Sequence, residues 1–368
     1  MPIEAIALQM TPKLGLKGAV HLLERFGDAR SIFAASYDEL IEVGELRDDV
    51  TRAILGREGF AAAEREMAYC QKHDIRPIAS TDADFPPLLR EISDYPAVIY
   101  LRGEIDPLHG KCIAMVGTRH ATPYGEEQCR RLVHEVAERI PDAVIVSGLA
   151  FGIDAAAHRA SLEANLPTVA VLANPLPDVS PATHRSLART ILDRGGALIT
   201  EQHSQCKQRG TFYLARNRII AGLAAGTVVV ESPAWGGSLN TAHHADSYGR
   251  TVMALPGRAT DPASEGTNHL IRIHKAQLVC SGGDIIEELA WDLGEHPQLH
   301  SERPTEERLT TEEAQLLGCF TDQDPITTEE LLLRSKFDAG MLTALLVGLE
   351  LAGKIRLLPG NRYMKLCN

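Results

Sequence analysis

The sequence predicts an α/β protein built on an open, mostly parallel sheet, with a helical module before it and a winged-helix-like domain after it. From Cys112 onward, short apolar runs alternate with longer amphipathic segments. This alternation is typical of a parallel sheet with helices on both faces. Near the C-terminus, two helical patterns and a hairpin follow one another in the order of a winged helix. The fold class rests on these two observations.

Residues 1–80 predict short helices. Apolar residues recur at helical spacing from Val20 to Phe26, after a Gly-x-x-Gly turn, and DELIEVGELRDDVTRAIL repeats the pattern. Two interpretations stay open, a helix-hairpin-helix or SAM-like module that touches a nucleic-acid backbone and an amphipathic helical cap. Pro86, Pro87 and Pro96 then break regular structure, so we place a domain boundary just after residue 80.

The core domain is expected over residues 84–292. Its strand candidates are the apolar runs CIAMVG, AVIVS, TVAVLA, ALITE, TVVVE and TVMAL. Between the first two runs, one helical stripe predicts a helix that covers the sheet. The residues of that stripe are Cys129, Leu132, Val133, Val136 and Ile140.

The distribution of charge matters more than its sum. The formal net charge of -12 speaks against nucleic-acid binding, because clustered lysines and arginines drive phosphate binding. However, basic residues outnumber acidic ones from His203 to Lys275, and the balance reverses from Glu295 to Asp338. The acidity is therefore concentrated in the C-terminal part.

Other bulk features predict a cytoplasmic protein. The 7 cysteines are scattered without a C-x-x-C pair, which favours free thiols in a reducing compartment and no zinc site. No apolar run approaches the roughly 18 residues that cross a bilayer. The N-terminus lacks a basic segment followed by an apolar one, so no secretory signal is visible.

Three glycine-containing loops follow strands of the predicted sheet: VGTRHATPYG, SGLAFGIDAAAH and ESPAWGGSLNTA. Glycine lets backbone N–H groups approach a phosphate, and helix N-termini attract anions. Because the carboxyl ends of parallel strands meet at one edge, these loops predict one phosphate-binding crevice. The residues that would approach a phosphate are Gly117, Arg119, Ser147, Gly148, Gly152, Gly236, Gly237 and Ser238. The usual NAD and ATP motifs are absent from the sequence, and we expect no cofactor.

An Arg-Asn-Arg turn supplies further cations near this edge. Arg216 and Arg218 suit phosphates, and Tyr213 or Phe212 could stack a base, which favours a flexible single strand over a duplex. In the alternative interpretation, these arginines cap the following helix or pair with carboxylates such as Glu201 and Glu231.

Five blocks resemble the DNA-processing protein A (DprA, or Smf) family in order and spacing. They are VGTRHATPYG, SGLAFGIDAAAH, RNRIIAGL, GGSLNTA and R-x-V-x-A-x-PG, and the resemblance covers residues 84–290. It implies an extended Rossmann-like core in a cytosolic homodimer that binds single-stranded DNA and loads RecA recombinase during natural transformation, in competent cells. It also implies phosphate contacts at the G-[ST]-R motif and the Arg-Asn-Arg motif. These motifs fall on Gly117, Thr118, Arg119, Arg216, Asn217 and Arg218.

The chain departs from the family pattern in two places. Tyr213-Leu214 stands where the family has an aromatic residue followed by proline, and either Lys207 or Arg209 is the basic residue expected upstream. The segment NPLPDVSPATHRSL lacks the usual Tyr-Pro pair. Which residue stacks a base is therefore open.

No catalytic set emerges, so we expect a binding protein and not an enzyme. The alternative is a nucleotide-processing enzyme, similar to a nucleoside monophosphate glycosidase, in the same crevice. It would need Glu231 or Asp154 to point into that crevice. His243 and His244 have no carboxylate or cysteine at metal-ligand spacing, so we expect no metal site.

Residues 293–308 are polar and predict a linker. Residues 309–368 then predict the winged-helix-like domain, with a capping box from Thr327 to Glu330, a second helix ending at Gly353 and a hairpin turning at 359–361. The second helix contains no lysine or arginine, so it cannot hold duplex DNA by counterion release. We expect this domain to be a protein-contact or regulatory module.

Overall fold

The architecture is taken from a computed structural model. It describes residues 2–207, 209–291, 310–320, 326–351, 354–358 and 362–365. The chain forms two compact units, Met1–Leu293 and Gly294–Asn368, and each is described by itself.

Short helices open the first unit. They are α1 (Pro2–Gln9), α2 (Gly15–Phe26), α3 (Ala29–Ala34), α4 (Tyr37–Glu42), α5 (Asp48–Leu55) and α6 (Phe60–Lys72). Local signals set their starts: the Asp28 carboxylate caps α3, and Ser36 with Glu39 forms a capping box at α4. The apolar face of α2, with Leu22 and Leu23, is buried, as its spacing predicts.

A nine-stranded sheet follows, in the order β1-β2-β6-β5-β4-β3-β7-β8-β9. Its strands are β1 (Arg76–Ala79), β2 (Val98–Gly103), β3 (Lys111–Val116), β4 (Ala143–Ser147), β5 (Thr168–Val171), β6 (Ala197–Thr200), β7 (Gly226–Val229), β8 (Thr251–Ala254) and β9 (Gln277–Leu278). All neighbours from β6 to β9 are parallel, whereas β1 and β2 run antiparallel at the other end. The six predicted strands are β3 to β8. Sequence reasoning missed β1, β2 and β9.

Helices cover both faces of this sheet. They are α7 (Pro87–Arg90), α8 (Pro123–Arg139), α9 (Ile153–Glu163), α10 (Arg185–Asp193), α11 (Thr211–Leu223), α12 (Gly237–Ser247), α13 (Glu265–Arg272) and α14 (Gly282–Glu288). On β4, Val144 and Val146 pack with α11 and α12, whereas Ile145 packs with α8 and α9. This period of two is the alternation of a strand buried on both faces. The predicted stripe on α8 is buried throughout.

The N-terminal helices share a core with the sheet. Ile6 and Leu22 belong to the same buried cluster as Val98 and Tyr100 of β2. The Tyr100 hydroxyl also donates a hydrogen bond to Gln9 Oε1 at 2.9 Å. The boundary expected just after residue 80 therefore separates no compact units, because the proline-rich segment leads into β2 instead of a linker.

The order of the strands creates a switch point. From β3 the chain adds β4, β5 and β6 on one side, and it then returns to place β7 on the other side of β3. In open α/β sheets, ligands bind at the carboxyl ends of the strands where the order reverses. That position lies between the loops that follow β3 and β7.

The second unit has the winged-helix arrangement. It contains α15 (Thr311–Leu317), β10 (Ile326–Thr327), α16 (Thr328–Ser335), α17 (Ala339–Leu351), β11 (Ile355–Leu358) and β12 (Arg362–Lys365), with the strands in the order β10-β12-β11. Thr327 Oγ1 accepts the Glu330 backbone N–H at 3.2 Å, which is half of the predicted capping box. The linker, the end of the second helix at Gly353 and the hairpin turn at 359–361 lie outside the described residues.

Within the described parts of the chain, no helix combines the length and the apolar character needed to span a membrane.

A buried histidine lies between α9 and β5. Thr168 Oγ1 donates to the Ile145 carbonyl at 2.7 Å, so it can only accept from His158 Nδ1, which lies 2.7 Å away. His158 Nε2 is buried without a partner among the described residues. Burial, reinforced by the charge of Arg216, lowers the pKa of His158 to about 3. The imidazole is therefore neutral in the folded chain.

We expect this histidine to make stability depend on pH. Between the ordinary histidine pKa of 6.5 and the folded value of about 3, the unfolded chain binds one more proton than the folded chain, so stability rises with pH in that window. The contribution of His158 is about 2 kcal/mol between pH 7 and pH 5. Denaturant unfolding of the parent and of His158→Gln at both pH values measures it. A variant with the same pH dependence as the parent would contradict the assignment.

Candidate functional site

A crevice of about 380 Å³ lies at the switch point. The loops after β3, β4 and β7 line it together with the first turns of α11 and α12. The predicted convergence of three glycine loops on one site is therefore present. The predicted residues that line the crevice are Gly117, Thr118, Arg119, Tyr213, Arg216, Asn217, Gly236, Gly237 and Ser238.

The backbone of the first loop is held on both sides. The Thr118 N–H donates to the Glu231 carbonyl at 2.7 Å, and the Thr118 carbonyl accepts from the Ile153 N–H at 3.2 Å. Gly152 has a φ of +72°, and a Cβ there would collide with the Thr118 carbonyl oxygen. Only glycine fits this position without strain. The G-[ST]-R turn is therefore fixed by its neighbours before any ligand arrives.

Arg119 is the exposed cation of this turn. Its guanidinium lies over the Tyr213 ring at 5.5 Å from the centroid, a cation–π contact. The Tyr213 hydroxyl lies 2.9 Å from Ser180 Oγ, which holds the ring in place. Among the described residues, no carboxylate forms a salt bridge with Arg119. The side chain is thus positioned by an aromatic face and keeps its hydrogen-bond donors for an anion.

Arg216 lies beneath the loops and is buried. It donates to the Gly148 carbonyl at 2.6 Å and to the Val171 carbonyl, at the carboxyl ends of β4 and β5. Gly148 has no room for a side chain, because a Cβ would meet the Arg216 guanidinium. Arg216 therefore ties two strand ends together and supplies positive charge from below.

Asp154 is the carboxylate beside Arg216. It lines the crevice from the first turn of α9 and accepts the Ala150 N–H at 3.3 Å. Burial raises the pKa of Asp154, while Arg216 and the backbone N–H donors act in the opposite direction. The two groups act on each other electrostatically, since Arg216 lowers the pKa of Asp154 and Asp154 raises that of Arg216. The pair belongs to the floor of the crevice.

Arg218 points elsewhere. Its side chain is 4% exposed and pairs with Glu201 and, at 3.8 Å, with Asp94. Burial raises the pKa of Glu201, and the charge of Arg218 opposes that rise. Of the two interpretations open from the sequence, the structure has the ion pair. Arg218 does not line the crevice, because its guanidinium is committed to these carboxylates.

Three polar residues of the predicted site organise it from within. Asn217 Nδ2 donates to the Gly237 carbonyl at 3.1 Å, which joins α11 to the start of α12. Ser238 Oγ donates to Ser232 Oγ at 2.9 Å and is buried. Ser147 Oγ donates to the Met115 carbonyl at 2.6 Å inside the sheet, so it holds β4 to β3 and does not face the crevice.

Lys207 and Arg209 are both exposed, on the loop between β6 and α11, and neither lines the crevice. The N-terminal helices hold this loop. The buried Glu66 carboxylate of α6 accepts the Ser204 backbone N–H at 2.8 Å and also the Ser204 hydroxyl. Gln205 Nε2 donates to the Ala62 carbonyl at 3.1 Å. The helical module thereby sets the course of the basic loop.

Glu231, one of the two candidate acids, is turned away from the crevice. Its carboxylate accepts the Thr122 N–H at 2.8 Å and the Thr122 hydroxyl at 2.6 Å, at the start of α8. A Cβ at Gly125 would also touch it. This position next to a helix N-terminus stabilises a negative charge. Glu231 therefore stabilises the start of α8.

Sequence reasoning missed two exposed aromatic residues on the glycine loops. Phe151 follows β4, with its ring 5.0 Å from that of His184. Trp235 follows β7 and lines the crevice. Both are exposed. A signal was available, because each lies in a loop where no hydrophobic period requires burial.

The chain is similar in sequence and in structure to known proteins of one family. The sequence profile of DNA recombination-mediator protein A matches residues 76–290, and that of the DprA winged-helix domain matches residues 300–361. The chain is 34% identical to the protein Smf of Escherichia coli over 307 residues, which cover 82% of this chain and 80% of that protein.

Two solved structures are similar. DNA processing protein A of Streptococcus pneumoniae superposes with a TM-score of 0.67 at 28% identity, covering 78% of this chain and 98% of that one. DNA processing protein A of Helicobacter pylori gives a TM-score of 0.53 at 26% identity, covering 59% and 96%. With its crevice at the switch point, its two matched domains and these relatives, the chain belongs to the DNA-processing protein A (DprA/Smf) family.

Proposed function

We propose that this chain binds single-stranded DNA in the crevice at the switch point and acts in DNA processing. The observation that carries the proposal is Arg119. It is an exposed arginine on a fixed glycine turn, and it is surrounded by loops and helix N-termini that favour a phosphate. The crevice lies at a sheet edge, which suits a flexible strand better than a rigid duplex.

A relative supports the choice of ligand. The similar Helicobacter pylori protein has been described for its single-stranded DNA binding mode. From the family resemblance we also propose that the chain protects incoming DNA, loads RecA onto the bound strand, and does so in the cytoplasm during natural transformation. The acidic winged-helix unit, whose helix α17 contains no lysine or arginine, would contact protein in this scheme.

We further propose that binding occurs without chemistry. A glycosidase would need an acid free to act in the crevice. Glu231 is used at the start of α8, and Asp154 lies beside the buried Arg216. Both carboxylates thus have structural partners, which favours binding over catalysis.

A homodimer completes the proposal. Ile273 is 46% exposed and Leu278, on β9, is 51% exposed. Because β9 is the last strand of the sheet, its outer edge has unpaired backbone groups as well as apolar side chains. Such an edge suits association with a second copy.

Arg119→Ala should weaken binding of a labelled oligo-dT and lower the slope of log affinity against log salt by about 0.7, the value for one phosphate contact on a single strand. Fluorescence anisotropy over a salt series measures both, with a duplex of equal length for comparison. The matched control is Arg130→Ala, which removes an exposed arginine that pairs with Glu127 on α8. Equal salt slopes for the parent and Arg119→Ala would exclude a phosphate contact at Arg119. If the parent does not bind oligo-dT at low salt, the proposal of single-stranded DNA binding is wrong.

The second expectation is that nucleoside monophosphates incubated with the protein release no free base, as measured by chromatography. The discriminating variant is Asp154→Asn, which keeps the shape of the side chain and removes the acid. Base release by the parent that disappears in Asp154→Asn would establish the enzyme instead.

The dimer proposal predicts that Ile273→Glu and Leu278→Glu each shift the molar mass from dimer toward monomer, because a buried unpaired carboxylate opposes association. Size-exclusion chromatography with light scattering measures the mass. Leu55→Glu, at an exposed leucine that ends α5, is the control. An unchanged mass in both edge variants would place the interface elsewhere.

A further inference from the structure

Trp235 is the most exposed large apolar side chain among the described residues, at 95%. It follows β7 in the loop that leads into α12. A tryptophan that is almost wholly in water gains nothing from burial in its own fold, and tryptophan is enriched at binding interfaces. The side chain is therefore a candidate contact for a ligand.

The loop that carries Trp235 is fixed. The Ser232 carbonyl accepts the Gly266 N–H at 2.8 Å, and Ser232 Oγ donates to the Pro233 carbonyl at 3.1 Å and accepts from Ser238 Oγ at 2.9 Å. A Cβ at Gly236 would approach Ser232 Oγ to 2.5 Å, so the turn closes tightly behind the tryptophan. The indole is thus presented from a preorganised backbone, which reduces the entropy lost on binding.

Trp235 also stands between two concave surfaces. It lines the crevice that contains Arg119, and it lines a second groove of about 1360 Å³ between α12 and α13. Arg272 and Lys275 line that groove together with the carboxylates of Asp246 and Glu265, and Lys275 pairs with Asp246 at 2.8 Å. Because the indole lines both surfaces, a strand whose phosphate is bound at Arg119 can leave the crevice past Trp235 into this groove.

We propose that Trp235 is the base-stacking platform of this chain, placed where a single strand passes from the crevice into the groove between α12 and α13. The inference rests on the proposed function and identifies a contact that the Arg119 site does not include. Stacking on an aromatic face tolerates any base, because every base has a π-face.

The position of Tyr213 supports this assignment. The Arg119 guanidinium already covers the Tyr213 ring at 5.5 Å, and the Tyr213 hydroxyl contacts Ser180. Tyr213 therefore has one face against the phosphate-binding arginine, whereas the indole of Trp235 is 95% exposed. Of the two aromatic residues, Trp235 has more of its ring surface accessible to a base.

Intrinsic fluorescence provides a direct test, because the chain contains only 2 tryptophans and Trp291 is half-buried against the core. Saturating oligo-dT should quench the tryptophan fluorescence of the full-length protein and of Trp291→Phe, but not that of Trp235→Ala.

Anisotropy should show a loss of affinity for oligo-dT of roughly ten-fold in Trp235→Ala, most of which Trp235→Phe restores. In Trp235→Ala, the slope of log affinity against log salt should stay at the parent value, since stacking releases no counterions. Tyr37→Ala, at an exposed aromatic residue of α4, controls for loss of surface area.

The outcomes separate the inference from the function on which it rests. If the parent binds oligo-dT and Trp235→Ala binds equally well without a change in quenching, the stacking role is wrong and the proposed function stands. If Trp235→Ala lowers the molar mass of the assembly and leaves DNA affinity unchanged, the indole covers a second copy of the chain, which also overturns the inference. If the parent does not bind oligo-dT, the proposed function itself fails.

Discussion

The site depends on one buried cation. Arg216 binds the carbonyls that end two neighbouring strands, and Asp154 balances its charge from the first turn of α9. Removing the guanidinium would leave both buried carbonyls without this donor, and a buried unsatisfied polar group costs roughly 1–3 kcal/mol. The carboxyl ends of β4 and β5, and with them the loops above, are thereby held in one arrangement. The crevice can therefore present few exposed side chains, because Arg216 fixes the strand ends beneath its loops.

The Arg-Asn-Arg motif, which the sequence predicted as a turn, lies inside helix α11, because the helix already begins at Thr211. Successive residues of an α-helix point about 100° apart, so Arg216, Asn217 and Arg218 face three different environments. One ties strand ends together, one joins α11 to α12, and one pairs with Glu201. The motif predicts that this part of the chain is important, but the packed neighbours determine that none of its three side chains is exposed. The accessible arginine is Arg119 instead.

Sequence patterns predicted the parts of the fold that repeat. The central strands are apolar runs long enough to be recognised, and the glycine loops lie at the predicted edge. The antiparallel strand β2 was missed because it follows prolines that favour an irregular segment, and β9 was missed because it has only two residues. The role of Glu66 could not be predicted, because a buried glutamate on an amphipathic helix looks like a surface charge until its partner Ser204 is known.

That glutamate limits how independently the parts of this chain can change. Since α6 holds the segment before α11 through Glu66 and Ser204, an insertion between β6 and α11 would shift the basic residues out of register with the helical module. The same holds for an exchange of the N-terminal helices between relatives, which would preserve the sheet and yet misplace Lys207 and Arg209. The helical module and the loop before α11 are therefore mechanically coupled, although 138 residues separate Glu66 from Ser204.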